Sequence, residues 1–235
     1  MEILSLLHRG NIIIHVSAGA VALLIGIYIL FKAKRSRIHR ISGRVFLLLL
    51  AIVVFTGLLG VFIFKRHSFL LVITVLSGYM GFSGFRAIRS RSNKPQVLDI
   101  SMAFLALASV IFFLWYFTKT EMLWSGIIIY STIGYLIMAV VYDLSRYFIS
   151  QKVYGNLWLY EHILKMVSAF SGLLSAFSGT VLPQYQPYSQ FLPSLLGSLI
   201  AVGFIISAGI NLHKNKTSNS KIRKPTCDQF QSPDP

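Results

Sequence analysis

Charge is what this chain has least of. Only 12% of its 235 residues are Asp, Glu, Lys or Arg, against about 25% in soluble domains, too few to cover a water-facing surface. Acidic residues are scarcest, 7 against 22 lysines and arginines, and the formal net charge is +15. Cysteine occurs once, as Cys227 in the polar C-terminal stretch, which excludes an internal disulfide. HExxH, CxxC and any metal-ligand pair at i and i+4 are missing, so no diagnostic zinc spacing is present. The glycine-containing stretch with Gly78, Gly81 and Gly84 lies inside an apolar run rather than after a strand, which argues for close helix packing and against a phosphate loop.

Long apolar runs are what the chain has in abundance. Hydrophobic residues make up 55% of it and the mean hydropathy is +0.68. Seven runs, at 11–31, 45–64, 68–85, 100–117, 122–142, about 157–182 and 193–212, approach or exceed the roughly 20 residues that cross a bilayer core. None alternates as a barrel strand would, and a lipid-exposed backbone must satisfy its own hydrogen bonds, so each run predicts an α-helix. The fold expected is an all-α polytopic bundle in one domain over 1–212, followed by a polar, basic, disordered tail over 213–235. A cleavable signal peptide is not expected: MEILSLLHRG lacks a basic start and no small-residue cleavage site follows.

Basic residues alternate between loops. Those after runs 1, 3 and 5 and the tail hold 17 lysines and arginines, and the opposite side holds 4 (Arg9, Lys65, Arg66 and Lys119). By the positive-inside rule the N-terminus is expected outside and the tail in the cytoplasm of a bacterial inner membrane. The basic clusters then read as topology determinants and contacts for anionic lipid head groups, not as a nucleic-acid surface. Trp115, Tyr116, Trp124, Tyr154, Trp158 and Tyr160 are placed to mark the head-group level.

Against this background the stretch WLYEHILKM, residues 158 to 166, stands out. Glu161 and Lys165 are four apart, the favourable order for a same-face pair. The same face continues through Ser168, Gly172, Ser175 and Gly179, a stripe of small residues that suits close helix contact in lipid. That stripe should carry the pair into the bundle, although Lys165, near the Trp158 level, could also extend toward the interface.

Asp99, Asp143 and Glu161 all fall at ends of runs on the expected cytoplasmic side, with His39, Arg40, Arg44, Arg86 and His162. His39 and His162 with one of these acids would supply the nitrogen and oxygen ligands that suit zinc or non-haem iron. The same residues could relay protons, since histidine titrates near neutrality. Bis-histidine haem ranks behind both, with His162 and His39 the only inner pair that could approach axial geometry. His15 lies near the outer side, too far to join them. Run 7 has no ionisable residue before His213, which argues against a retinal-type receptor.

Some of these motifs occur together. His15 and Gly19; Lys32, His39, Arg40, Gly43 and Arg44; Gly84 and Arg86; and EHILKMVSAFSGLLSAFSG after residue 160 together resemble the bacterial multi-pass membrane proteins grouped as domain of unknown function 2306. The resemblance covers roughly residues 8 to 182. It implies that His15, His39, Arg40, Arg86, His162 and Met166 belong to a shared pattern, and it implies no activity, substrate or cofactor.

The functional expectation is an integral membrane protein with a polar cluster at the cytoplasmic end: His39, His162, Asp99 and Glu161 as metal or proton-relay groups, with His15, Arg40, Arg86, Asp143 and Lys165 as further candidates. The alternatives are a small-solute or ion transporter and a membrane scaffold or assembly protein without a cofactor. Homo-oligomerisation is left open, and no nucleophile marks the chain as an enzyme.

Overall fold

A computed structural model describes residues 2–32, 36–64, 69–117 and 126–222. Lys65, Arg66, Lys119, Glu121, Trp124 and Cys227 lie outside the described residues. Seven long helices follow in chain order: α1 (Glu2–Phe31), α2 (Arg37–Phe62), α3 (Phe69–Ser90), α4 (Val97–Phe117), α5 (Gly126–Ser145), α6 (Gln151–Val181) and α7 (Tyr188–Ile222). Short 3-10 turns, Arg146–Phe148 and Pro183–Tyr185, link α5 to α6 and α6 to α7. All seven helices are long and apolar enough to cross a membrane. Several outrun the hydrophobic spans: α1 starts at Glu2, α2 at Arg37, and α7 continues to Ile222 beyond the expected boundary at 212.

The exterior is apolar. Leu24, Phe55, Phe104, Ile111, Leu199 and Ile206 are each more than half exposed, a distribution that suits lipid rather than water. Inside, α3 and α6 pack along each other, with α2 and α1 against one side and α7 on α6. Phe46, Leu50, Val72, Met80, Phe113, Leu136 and Ala169 contribute to the core.

Small residues allow the central helices to approach. A Cβ on Gly81 would come within 2.6 Å of Leu50 Cδ2, and one on Gly84 within 3.0 Å of the Lys165 Cβ. On α6 the predicted stripe is largely internal: Gly172, Ser175 and Gly179 are buried, and Ser168 is half-buried. Gly172 meets Ser77 of α3 and Gly179 meets Gln190 of α7. The stripe thus fixes the rotation of α6 and turns Glu161 and Lys165 inward.

At the loop end, α3 terminates where Arg91 takes a left-handed conformation, φ 48°. Asn93, in the loop that follows, donates through Nδ2 to Ile149 O at 2.7 Å, tying the α3–α4 loop to the α5–α6 loop. α4 then begins with one side-chain cap, the backbone N–H of Gln96 donating to Asp99 Oδ2 at 2.9 Å. These ties bring the ends of four helices around one point.

Candidate functional site: a buried ion network

Three carboxylates and three cations meet there. Asp99 opens α4, Asp143 ends α5, Glu161 and Lys165 lie on α6, Arg86 is near the end of α3, and Arg146 sits in the 3-10 turn. Taken as ionised, the six sum to zero charge. Arg86, Asp143, Arg146, Glu161 and Lys165 are all buried.

The network has two tiers joined by one arginine. In the tier nearer the loops, Arg86 donates through Nε to Asp99 Oδ1 at 2.6 Å and through Nη2 to Asp99 Oδ2 at 3.1 Å and Gln96 Oε1 at 2.5 Å. Arg146 Nη2 reaches the same Asp99 carboxylate at 3.5 Å, while its Nη1 donates to Glu161 Oε1 at 3.0 Å. In the deeper tier, Lys165 Nζ donates to Glu161 Oε1 at 2.5 Å, to Ser83 Oγ at 2.7 Å and to Asp143 Oδ1. Those are three acceptors for three ammonium hydrogens.

Neutral hydroxyls complete the carboxylates. Tyr154 donates to Glu161 Oε2 at 2.6 Å; Tyr79 and Ser83 donate to Asp143 Oδ2 at 2.8 and 2.5 Å. Such partners are what a buried charge needs, because desolvation of each ion costs several kcal/mol in effect and only close, well-bonded partners offset it. The Lys165 ammonium also lies 5.5 Å from the Tyr142 ring centroid.

Lys165 is therefore held inside rather than extended to the interface: it is 3% exposed. The expected Glu161/Lys165 pair is present, enlarged by Asp143 and Arg146. Arg146 and Tyr154 were read as a topology charge and a head-group aromatic. They are instead 1% and 0% exposed members of the network. A span-end arginine looks alike in sequence whether it faces phosphates or carboxylates, and here the three acids of the converging helix ends draw it in.

The histidines take other places. His162 Nδ1 donates to Gly84 O at 2.8 Å, and Met166, one turn on, packs its sulfur against the same glycine. In the neutral ring this leaves the lone pair on Nε2. His39 lies in the first turn of α2, its backbone N–H donating to the N-cap Ser36 Oγ at 3.0 Å, and Arg40 is exposed. His15 Nδ1 and Thr56 Oγ1 are 2.9 Å apart in a separate polar contact between α1 and α2, where Asn11 also donates to Thr56 O at 3.1 Å.

Among the described residues no group of three or more His, Cys, Asp or Glu is placed to hold a metal. The expected set of His39, His162, Asp99 and Glu161 is thus not gathered as a ligand group. Asp99 and Glu161 face arginine and lysine, which occupy the lone pairs a metal would use.

No protein-family model matches the chain, no curated protein matches it, and no solved structure matches it. The class defined by the fold is a seven-helix bundle with membrane-spanning helices and an internal, charge-balanced ion network.

Proposed function

We propose that this chain is a polytopic protein of a bacterial cytoplasmic membrane that binds and relays protons at the Lys165–Glu161–Asp143 centre. The observation that carries the reading is the buried Lys165 ammonium shared between two carboxylates on different helices. Ionisable groups at such depth are costly and commonly belong to ion or proton pathways.

Within this arrangement a proton can pass from Lys165 Nζ to Asp143 or Glu161, leaving a neutral amine and a neutral acid without changing the net charge. Tyr154, Tyr79 and Ser83 supply hydroxyls to whichever carboxylate stays ionised. An additional proton from outside unbalances the cluster, and in a low-dielectric interior that favours movement of α5 against α6, the two helices Lys165 joins. This is the element through which proton binding would couple to a solute or to a conformational change.

The basic loops favour placing the network at the cytoplasmic side, with the N-terminus outside, and anionic lipid head groups as the partners of the exposed Arg37, Arg40 and Arg89. Membership of the domain of unknown function 2306 group is part of the same proposal, supported by the HR turn at 39–40 and the His162/Met166 spacing.

Reconstituted liposomes with an internal pH dye test the reading. Under an imposed inward proton gradient and potential, the wild-type protein and Arg89→Ala acidify the lumen, and Lys165→Met and Glu161→Gln do not. Acidification by wild type no faster than in protein-free liposomes rejects it.

A further inference from the structure

Between the two tiers lies a small cavity of about 10 Å³, the space of one water molecule. Its wall includes Asp99 and Pro95 on the loop side, Asp143, Tyr79 and Ser83 on the inner side, and Arg146 between them. Asp99 and Asp143 both line it, yet no direct hydrogen bond joins the Asp143 carboxylate to the Asp99–Arg86 tier among the described contacts.

One buried polar atom of a residue that lines the cavity lacks a partner among the described residues. Arg146 is 1% exposed, its Nη1 and Nη2 donate to Glu161, Tyr154 and Asp99, and its Nε finds no acceptor. A buried charged group with an unmade hydrogen bond loses its desolvation energy outright. A water accepts readily from a guanidinium N–H and donates two hydrogens, and two carboxylates line the same cavity.

We propose that this cavity is a built site for a single exchangeable water, accepting from Arg146 Nε and donating to Asp99 and Asp143. An anion is disfavoured there by the two carboxylates and a metal cation by the guanidinium. The tiers already connect through Arg146, Glu161 and Lys165; the water adds a second, shorter link from Asp99 straight to Asp143. Its role as the proton entrance to Asp143 rests on the proton-relay reading; its presence does not.

Radiolytic hydroxyl-radical footprinting of the full-length protein in lipid nanodiscs, in ¹⁸O-labelled water, reads the site directly. Tyr79 and Tyr154 are equally suited reporters, both buried and both bonded to a carboxylate, but only Tyr79 lines the cavity. Tyr79 should be oxidised about tenfold faster than Tyr154, since an ordered water supplies the radical at that ring alone. Leu144 also lines the cavity, and Leu144→Phe, which enlarges this apolar part of the wall and leaves every ionic residue in place, should bring Tyr79 down to the Tyr154 rate.

Equal rates for the two tyrosines in wild type overturn the proposal, as does an unchanged Tyr79 rate in a folded Leu144→Phe protein. If that variant fails to fold, the wild-type ratio decides. Fast Tyr79 labelling without liposome acidification supports the water and rejects the proton relay. Acidification without such labelling rejects the water and leaves the relay with another entrance.

Discussion

Arg146 and Glu161 form an ion pair 3.0 Å long in which each side chain is only 2% exposed. The pair links the 3-10 turn after α5 to the first half of α6, so the connection between two spanning helices is clamped from inside. Removing one partner leaves the other charge buried and uncompensated. Arg146→Met or Glu161→Met alone should cost about 3 to 5 kcal/mol. The double variant should cost clearly less than the sum of the two, read as a double-mutant cycle of unfolding in detergent.

Lys165 separates two acids. Without its charge, Asp143 and Glu161 become like-charged neighbours in a buried site, and one of them should take up a proton. Lys165→Met is therefore expected to show a protonated carboxyl band in the infrared at neutral pH, lost on adding Glu161→Gln or Asp143→Asn. A spectrum identical to that of wild type would count against the geometry of the centre.

Gly84 holds α3 and α6 together at the level of the network. A Cβ there already approaches the Lys165 Cβ to 3.0 Å and the Met166 sulfur to 3.2 Å, so a branched side chain has to push the helices apart. Gly84→Val should destabilise by about 1 to 3 kcal/mol, the usual cost of overpacking. Gly134, with open space around its Cβ position, should tolerate Ala. Thermal unfolding in nanodiscs separates the two.

His162 is bonded to a backbone carbonyl rather than to an acid. His162→Ala should cost about 0.5 to 1.5 kcal/mol for the lost hydrogen bond. Its metal content, measured by elemental mass spectrometry on purified protein, should equal that of wild type. A near-stoichiometric metal that disappears in the variant would restore the metal-site reading of the histidines.

The number of spanning helices, their apolar character and the inward face of α6 were all legible in the sequence. Each depends on a local property: run length against bilayer thickness, or the 3-4 spacing of Glu161, Lys165 and the small residues after them. The acids were legible as well, because in a chain with so few, Asp99, Asp143 and Glu161 at helix ends demand partners. The pairing of those partners was not local. Lys165 meets Ser83 across 82 positions, Tyr79 meets Asp143 across 64, and Arg146 meets Asp99 across 47.

By itself, then, the sequence determined the solvent this protein is built for and which helix face turns inward, since hydropathy and periodicity are sums over neighbours. Only the tertiary structure decided that Arg146 and Tyr154 leave the head-group level for the interior, that Lys165 is saturated by three acceptors, and that the histidines stand apart. The physical reason is that a buried charge is stable only where its counter-charges converge, and convergence depends on how α3, α4, α5 and α6 pack, a relation no single stretch of residues contains.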